Sequence, residues 1–423
     1  MEHHRRHALP QLQHEDTDQR KVSQRRLLIS LPDNLAIFSW SLPCNVALIR
    51  KIPHIILETY MWRIIRRDAV SVLEDKNARE SLKRYFDVMQ NDKPAKFLIA
   101  KKIPADFDEN DSLKDLWDLH EELLKEFTDL QREIDTRAKR LDDLETPEKS
   151  FLDLKETIAT RILENCHFCT RRCGVNRLKG ELGYCRCGMQ IVVSSIFEHL
   201  GEEPELVPSG TIFTMGCTIR CLHCQNWTIS QWFEKGEIYS PKRLALAVEH
   251  LRKNGCRNAN LVGGEPTPWL HQWLRTFNNV NVNVPVVWNS NSYYSEETAR
   301  LLAGFADVYL LDFKYGNNRC AEKISSAPNY WEACTRNHLY GKKYGELIIR
   351  VLVLPEHLEC CTRTILNWIS KNLGPNTRTN VMFQYRPEWR AHEVPELRRR
   401  LNGAEMKRAV ELAEEAGLTN FIT

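Results

Sequence analysis

The stretch "TIFTMGCTIRCLHC", Thr211 to Cys224, joins a short apolar run to three closely spaced cysteines. Cys217, Cys221 and Cys224 have the spacing CxxxCxxC. Thiolates so close together in a loop could hold zinc with a fourth ligand from elsewhere, His223 being the nearest, or three irons of a [4Fe–4S] cluster. A closed structural metal site uses four protein ligands, so the fourth position has to be explained.

Apolar runs similar to the first recur along the chain, and helix-like intervals separate them. In "SPKRLALAVEHLRKNG", Pro241 falls near a predicted helix start and Gly255 near its end. Strands that alternate with helices form βα units and a parallel sheet. We therefore predict an α/β fold, a partial or full (βα) barrel, with its chemistry at the carboxyl ends of the strands. The predicted strands are "TIFTMG", "NANLVGG", "VPVVWNS", "DVYLLDFK", "LIIRVLVLP" and "NVMFQYRP".

The composition is that of an ordinary globular protein. Of 423 residues, 42% are hydrophobic and 27% charged, and the net charge is +3. So small a charge creates no strong field, and we expect neither nucleic acid nor membrane as a partner. The first residues lack the apolar core of a secretory signal, so we expect a cytoplasmic location. An apolar stretch at 34–57 is interrupted by prolines and basic residues, which makes it a poor membrane span.

The chain divides into four predicted segments. Residues 1–30 have the composition of a disordered tail. Residues 31–165 form a predicted helical extension, residues 166–205 a Cys-rich metal-binding segment, and residues 206–423 the barrel domain.

The predicted extension contains a long amphipathic helix that begins after Ser112, with Asp115 in its first turn. Two interpretations of this extension stay open: a helical hairpin that packs on the rest of the chain, or a coiled coil that binds a partner. The apolar seam comprises Leu116, Leu123, Leu130 and Leu144 at sevenfold spacing, with Phe127, Ile134 and Leu141 in the neighbouring row.

A second group of cysteines precedes the barrel. Glycines in this segment permit sharp bends, and four thiolates there could form a closed site for zinc or an auxiliary [4Fe–4S] cluster. Farther along the chain, Cys360 and Cys361 are adjacent, and we interpret them as ordinary thiols. The predicted ligands of the second site are Cys166, Cys169, Cys173 and Cys185, with Cys187 as a spare.

The CxxxCxxC loop after one predicted strand and "GGEPT" after the next resemble the radical S-adenosylmethionine (radical SAM) superfamily. Residues from about 165 to 423 are similar to its pyruvate formate-lyase activating enzyme-like branch. The blocks that carry this similarity are "CGVNRLKGELGYC", "HLGEEPELVPSGTIF", "CQNW", "DFKY", "LVLP" and "QYRP".

The resemblance explains the missing ligand. It implies that Cys217, Cys221 and Cys224 bind three irons, and that the amino and carboxylate groups of S-adenosylmethionine chelate the fourth. An electron from a donor such as flavodoxin or ferredoxin would then cleave the sulfonium bond and yield a 5′-deoxyadenosyl radical, which abstracts a hydrogen atom. Such chemistry belongs to the cofactor, while the protein binds and orients it.

The resemblance also implies roles at the other strand ends. Gly263, Gly264 and Glu265 of "GGEP" would bind the methionyl amino group, and Arg350 would lie near the cofactor. In related enzymes a monovalent cation sits beside the cofactor, and its ligands match Asn289, Ser290 and Asp312, although Asn289 replaces an Asp and Ser292 a Gly. Asn291 belongs to the same cofactor-binding segment. We expect Gln384, Tyr385 and Arg386 to contact the substrate, and His223 occupies a position that is commonly aromatic.

Three functional hypotheses follow. The first is an oxidoreductase that resembles glycyl-radical-enzyme activating enzymes and abstracts hydrogen from a glycine of a partner protein. The second directs the same radical chemistry to another peptide or to a small molecule. The third is a non-enzymatic zinc-binding module with a helical arm. Fold and cofactor recur across many reactions, so the sequence does not identify the substrate.

Overall fold

The computed structural model describes residues 62–423, which lie in one compact unit, Pro53–Thr423. The predicted tail at 1–30 and the apolar stretch at 34–57 lie outside the described residues. Within residues 62–423, no helix is both long enough and apolar enough to cross a membrane. The division into four segments stays a prediction.

A nine-stranded sheet forms the centre of the structure, in the order β3-β1-β2-β4-β5-β6-β7-β8-β9. From β2 to β9 all neighbours are parallel, whereas β1 is antiparallel to both β2 and β3. The predicted α/β class with a mostly parallel sheet is therefore confirmed. The strands are β1 (Val192–His199), β2 (Ser209–Thr214), β3 (Glu237–Ile238), β4 (Ala259–Gly263), β5 (Val286–Ser290), β6 (Val308–Asp312), β7 (Glu346–Leu352), β8 (Arg378–Met382) and β9 (Phe421–Ile422).

The six apolar runs of the sequence coincide with β2, β4, β5, β6, β7 and β8. All five residues of β5 are buried, as expected for a strand covered on both faces. Strand β1 lies inside the segment predicted to be Cys-rich and extends the sheet through its pairing with β2.

Helices connect the parallel strands. The predicted helix after β3 is confirmed as Pro241–Lys253, with the Ser240 side chain accepting a hydrogen bond at its start and Gly255 at a φ of +98° beyond its end. The helices are α1 (Arg67–Ser71), α2 (Lys76–Ser81), α3 (Lys83–Met89), α4 (Lys96–Ala100), α5 (Leu113–Asp135), α6 (Phe151–Ile162), α7 (Pro241–Lys253), α8 (Leu270–Asn279), α9 (Glu296–Leu302), α10 (Asn318–Ser325), α11 (Tyr330–Tyr344), α12 (Arg363–Leu373) and α13 (Gly403–Glu415).

The long helix α5 begins as predicted, because the Ser112 side chain accepts a hydrogen bond from the Asp115 amide. It ends earlier than the leucine spacing indicates. Arg137 adopts a φ of +60° and the Ala138 amide bonds back to the Glu133 carbonyl, which closes the helix. Leu141 and Leu144 therefore lie outside the helix, and their assignment to its seam was wrong.

The apolar face of α5 packs on the rest of the protein. Phe127, Leu130 and Ile134 belong to the same buried core as Leu302 and Phe305 of the sheet domain. The interpretation of the extension as helices that pack on the body is confirmed for the described residues.

Ion pairs join the extension to the amino-terminal end of the sheet. The Arg84 guanidinium bonds to Asp307, directly before β6, at 3.1 Å, and to Asp135 at 3.0 Å. The Glu346 carboxylate accepts hydrogen bonds from the Arg84 and Tyr85 amides and thus caps α3. A cavity of about 770 Å³ adjoins these residues. Because this end of the strands serves stability in βα barrels, we interpret the cavity as structural.

We expect Arg84→Met to lower the free energy of unfolding by about 3 kcal/mol, because Asp307 would stay buried without its partner. Lys114→Met is the control, since Lys114 and its partner Asp118 are exposed and their pair contributes about 0.5 kcal/mol or less. Urea denaturation of both variants gives the measurement. Equal losses of stability would contradict a structural role of the Arg84 pair.

Candidate functional site

A cavity of about 250 Å³ opens at the carboxyl ends of the parallel strands. It lies at the end where βα folds place their chemistry. Residues predicted from six separate stretches of sequence meet in its wall. The predicted residues that line it are Cys217, Cys221, Cys224, Gly263, Gly264, Glu265, Asn289, Ser290, Asn291, Asp312, Arg350 and Gln384.

Each of the three cysteines in the CxxxCxxC loop has a polar partner for its sulfur. Asn291 Nδ2 donates to Cys217 Sγ at 3.4 Å, and Ser325 Oγ donates to Cys221 Sγ at 2.9 Å. Cys224 Sγ and Ser230 Oγ lie 3.2 Å apart. Hydrogen bonds to sulfur suit thiolate ligands, whose charge they disperse.

The end of α10 supports the same loop. The amides of Arg220 and Leu222 donate to the carbonyls of Ser325 and Ile324, at 2.8 and 2.9 Å. The last carbonyls of a helix have no partner within the helix, so the loop satisfies them.

Burial raises the pKa of the Cys217 thiol well above its usual value, and the nearby Glu265 carboxylate raises it further. Burial likewise raises the pKa of Cys221 to about 11. Buried thiolates in this loop therefore need a positive partner. A metal cluster bound by the three sulfurs meets that need, so the donor set fits the [4Fe–4S] cluster implied by the resemblance.

The loop after β4 approaches the cysteine loop closely. A Cβ atom at Gly264 would lie 2.0 Å from the Gly216 carbonyl oxygen, and one at Gly263 would lie 2.1 Å from the Thr214 amide nitrogen. Gly263 also has a φ of +133°. Neither position accepts a side chain, so both glycines of "GGEP" are required by geometry.

Glu265 is buried beside these glycines, and hydrogen bonds fix its carboxylate. It accepts bonds from Thr267 Oγ1 at 2.5 Å, Ser290 Oγ at 2.7 Å and the Asn291 amide at 2.9 Å. Burial raises its pKa despite these donors. A ligand ammonium group would compensate the buried charge, which agrees with the role implied for this residue.

The end of β5 contributes polar atoms to the cavity. Asn289 Nδ2 is buried, has no hydrogen-bond partner within residues 62–423 and is available to a ligand oxygen. Ser292, which stands where relatives have glycine, has a φ of +64°, a conformation that favours glycine. Its hydroxyl donates to the Asp312 carbonyl at 2.8 Å.

Arg350 lines the cavity, but two carboxylates already hold its guanidinium. Glu203 accepts from Arg350 Nε at 2.7 Å, and Glu202 pairs with the same group. Although burial opposes ionisation, Arg350 and His199 hold the pKa of Glu202 at about 2. Sequence reasoning missed both glutamates. Their block "HLGEEPELVPSGTIF" was part of the resemblance, but nothing in it indicates contact with Arg350.

Asp312 has a cationic neighbour in Lys314, whose ammonium lies 2.6 Å from its carboxylate. Burial opposes charge on Lys314, yet Asp312 and Cys221 raise its pKa. Lys314 also lines the cavity and was missed, although the "DFK" block contained the signal. A monovalent cation at Asp312 would have to share this carboxylate with Lys314.

The three expected substrate contacts separate in the structure. Gln384 lines the cavity, whereas the Tyr385 hydroxyl donates to the Leu397 carbonyl at 2.6 Å inside the fold. Arg386 is half-exposed and pairs with Glu388. His223 also lines the cavity, and its ring meets Tyr385 edge-on at 5.6 Å. Burial lowers the pKa of His223 to about 3, so its imidazole is neutral.

The upstream cysteines lie next to the site. A Cβ at Gly183 would be 2.5 Å from Cys173 Sγ, and one at Gly216 would be 2.3 Å from Cys187 Sγ. Cys187 therefore touches the cysteine loop. Among the described residues, the sulfurs of Cys166, Cys169, Cys173 and Cys185 do not all lie within 4.8 Å of one another. The second metal site stays a prediction.

Residues 211–369 match the family model described as the radical SAM superfamily. The chain is 46% identical to the uncharacterized protein MJ0674 of Methanocaldococcus jannaschii over 343 residues, which cover 80% of this chain and 98% of that protein. It is 27% identical to the uncharacterized protein MJ0808 of the same organism over 254 residues, or 54% of this chain and 73% of that protein.

Two solved structures are also similar. Streptococcus suis SuiB bound to S-adenosylmethionine is 14% identical, with a TM-score of 0.37, and the match covers 49% of this chain and 48% of that chain. The structure of TYW1 with a lysine–pyruvate adduct bound is 13% identical, with a TM-score of 0.30, over 48% of this chain and 73% of that chain.

We expect Gly264→Ala to lose most of its iron after anaerobic reconstitution, because the added methyl group would push the two loops apart. The overpacking should also cost about 1–3 kcal/mol of stability. Gly403→Ala is the matched control, since nothing lies within 4 Å of a Cβ at Gly403. Iron per chain is the measurement, and equal iron contents in the two variants would refute the close-approach requirement.

Proposed function

The chain belongs to the radical SAM superfamily, and from this premise we propose that it binds a [4Fe–4S] cluster through Cys217, Cys221 and Cys224 and reductively cleaves S-adenosylmethionine. When bound, these groups supply a 5′-deoxyadenosyl radical for hydrogen abstraction. The observation that carries the proposal is the meeting of the cysteine loop and the Gly263–Glu265 loop in one cavity.

The polar groups of the cavity divide the work of binding. The Glu265 carboxylate receives the ammonium group of the methionyl moiety. Ser290 and Thr267 hold the Glu265 carboxylate in position through hydrogen bonds. Asn289 Nδ2, which has no partner among the described residues, donates to a ribose or carboxylate oxygen. Asn291 connects the two loops, because its amide nitrogen donates to Glu265 and its side chain to Cys217.

Arg350, in β7, lines the cavity. Because Glu202 and Glu203 already neutralise it, we assign it a positioning role. It holds Asn289 through a bond of 3.2 Å to Asn289 Oδ1, which leaves the Asn289 amide nitrogen for the ligand. Arg350 then acts near the cofactor, as the resemblance implied, through Asn289.

Two further binding assignments belong to the proposal. Asp312, Asn289 and Ser290 are the ligands for a monovalent cation beside the cofactor, with Lys314 competing for the Asp312 carboxylate. Cys166, Cys169, Cys173 and Cys185 hold a second Fe–S cluster or zinc. The contact of neighbouring Cys187 with the loop of Cys217 supports a location close to the first cluster.

For the substrate we propose a polypeptide, as in glycyl-radical-enzyme activating enzymes, with flavodoxin or ferredoxin as electron donor. Trp227, three residues after Cys224, stacks on Trp389 with ring centroids 4.4 Å apart, and Trp232 lies against both. Trp232 is 63% exposed. Gln225 and Gln384, which line the cavity, hydrogen-bond next to this cluster. An exposed tryptophan that packs on two partly buried ones beside the cavity favours a polypeptide, because aromatic side chains dominate protein recognition.

Anaerobic reconstitution with iron, sulfide, reductant and S-adenosylmethionine should yield 5′-deoxyadenosine and methionine. Replacing Cys217, Cys221 or Cys224 singly by Ala should abolish both products, because each thiolate holds one iron. Cys256→Ala is the control, as Cys256 is buried away from the cavity. Product formation by any of the three variants, or none by the native protein with an intact cluster, would overturn the proposal.

The substrate proposal has a separate test, with pyruvate formate-lyase as the first protein probe. We expect a glycyl-radical signal in electron paramagnetic resonance, and Trp232→Ala should lower its yield about tenfold at limiting probe concentration. Leu246→Ala is the control, since Leu246 is similarly exposed on α7. Cleavage of S-adenosylmethionine without any radical on the probe, or equal yields from both variants, speaks against a glycyl-radical partner.

A further inference from the structure

A second group of potential metal ligands lies on a helix and a turn at the carboxyl end of the sheet. Cys320 belongs to α10, after β6, while His357, Cys360 and Cys361 lie in the turn after β7. One ligand atom from each of the four residues lies within 4.8 Å of every other. Because these residues come from separate stretches, their spacing in the sequence did not reveal the group.

The distances between these atoms match those around one tetrahedral ion. His357 Nδ1 lies 3.6 Å from Cys320 Sγ and 3.4 Å from Cys360 Sγ, and the sulfurs of Cys360 and Cys361 are 3.8 Å apart. A tetrahedral zinc ion, with bonds of about 2.3 Å to sulfur and about 2.0 Å to nitrogen, separates two sulfurs by about 3.8 Å and sulfur from nitrogen by about 3.6 Å.

These spacings also discriminate against an iron–sulfur cubane. In a [4Fe–4S] cluster each thiolate binds a different iron, so the protein sulfurs are spread around the cluster. Here the four ligand atoms all lie within 4.8 Å of one another. The geometry therefore suits a single ion.

Local structure brings the two adjacent cysteines to the same point. The turn Leu358–Thr362 is a π-helix, in which the Thr362 amide bonds to the His357 carbonyl at 3.2 Å. Gly316 permits the approach of this turn to the loop after β6, because a Cβ there would lie 2.7 Å from Cys361 Cα. A one-turn π-helix is frequent at functional sites.

The surroundings of the four ligands are those of a metal site. Cys320, His357 and Cys361 are buried, whereas Cys360 is exposed and gives an ion access from solvent. His357 turns Nδ1 toward the sulfurs and Nε2 toward the Glu396 carboxylate, 3.7 Å away. That Nε2 atom is buried and has no hydrogen-bond partner in the part of the chain that the structure describes. Histidines that bind metals commonly face a carboxylate with their second nitrogen.

We propose that Cys320, His357, Cys360 and Cys361 bind one Zn²⁺ ion in a closed structural site, separate from the three-cysteine loop. Three thiolates and one imidazole are a known donor set for structural zinc. Bound zinc would fasten the turn after β7 to α10. The other end of α10 supports the cysteine loop through Ser325 and Ile324, so the ion would stabilise the frame of the radical site without taking part in its chemistry.

The test counts zinc per chain in the full-length reconstituted protein. We expect Cys361→Ala and His357→Ala to hold one zinc ion fewer than Cys256→Ala, which removes a buried cysteine outside the group. Iron content should be the same in all three. Zinc bound by the upstream cysteines would not change among these variants, so the difference counts only the proposed site.

Two measurements keep the test valid if the buried variants fold poorly. Cys360→Ala changes an exposed residue and should also lose the ion. X-ray absorption at the zinc edge should show three sulfur ligands at about 2.3 Å and one nitrogen at about 2.0 Å once the upstream contribution is subtracted with Cys360→Ala. Equal zinc in Cys360→Ala and Cys256→Ala, or loss of iron in place of zinc, would overturn the proposal.

The Glu396 carboxylate provides a test that leaves all four ligands in place. Glu396→Gln should weaken zinc affinity about 10- to 100-fold in competition with a chelator, because Glu396, which also pairs with Lys323 at 2.7 Å, provides the negative charge that faces His357 Nε2. Glu393→Gln is the control, since Glu393 pairs with Arg390 at the surface. Equal affinities in these two variants would contradict the assigned orientation of His357.

Discussion

The site depends on the close packing of two backbone segments, Gly263–Gly264 after β4 and Thr214–Gly216 after β2. Parallel pairing sets Thr214 beside Gly263, and the Gly264 amide donates to the Thr214 carbonyl at 2.8 Å. No side chain fits between these segments. This contact places Glu265 next to the loop that carries Cys217. The distance between Cys217, the proposed cluster ligand, and Glu265, the proposed cofactor-binding carboxylate, is thus fixed by the main chain, which is more rigid than side-chain packing.

Around this contact, polar groups form a connected network. Glu265 accepts hydrogen bonds from residues at the end of β5. Asn291 is bonded to both loops, because its amide donates to Glu265 and its side chain donates to the sulfur of Cys217. Buried polar groups stabilise a structure only when they are satisfied, and a network that is satisfied also fixes one geometry. Asn289 Nδ2 is a buried donor that lacks a hydrogen-bond partner among residues 62–423. In a network otherwise so complete, this donor indicates where a ligand completes the site.

Local patterns made the sheet and most of the cavity predictable. Apolar runs of strand length marked β2 and β4 to β8, and strand ends located Cys217, Glu265 and Asp312. What the sequence did not indicate depends on contacts between distant residues. Glu202 and Glu203 meet Arg350 only after the sheet has formed, and the end of α5 depends on the positive φ of Arg137, which no apolar spacing encodes. Cys360 and Cys361 seemed ordinary because Cys320, which completes the group with His357 of their own turn, comes from α10, about 40 residues earlier in the chain.

Buried charged and polar side chains lie at both ends of the sheet, but their roles differ. At the amino-terminal end, the Arg84 guanidinium pairs with Asp307 and the Arg84 amide donates to Glu346, and these contacts attach the helical extension. At the carboxyl end, the buried Glu265 carboxylate has a raised pKa, and Asn289 Nδ2 has no hydrogen-bond partner within the described residues. Cys320 of α10 lies beside the turn after β7, and the last carbonyls of the same helix accept main-chain hydrogen bonds from the cysteine loop. A structural ion at the turn after β7 would act on the radical site only through α10. The two proposed metal sites can therefore lie near each other and keep separate roles.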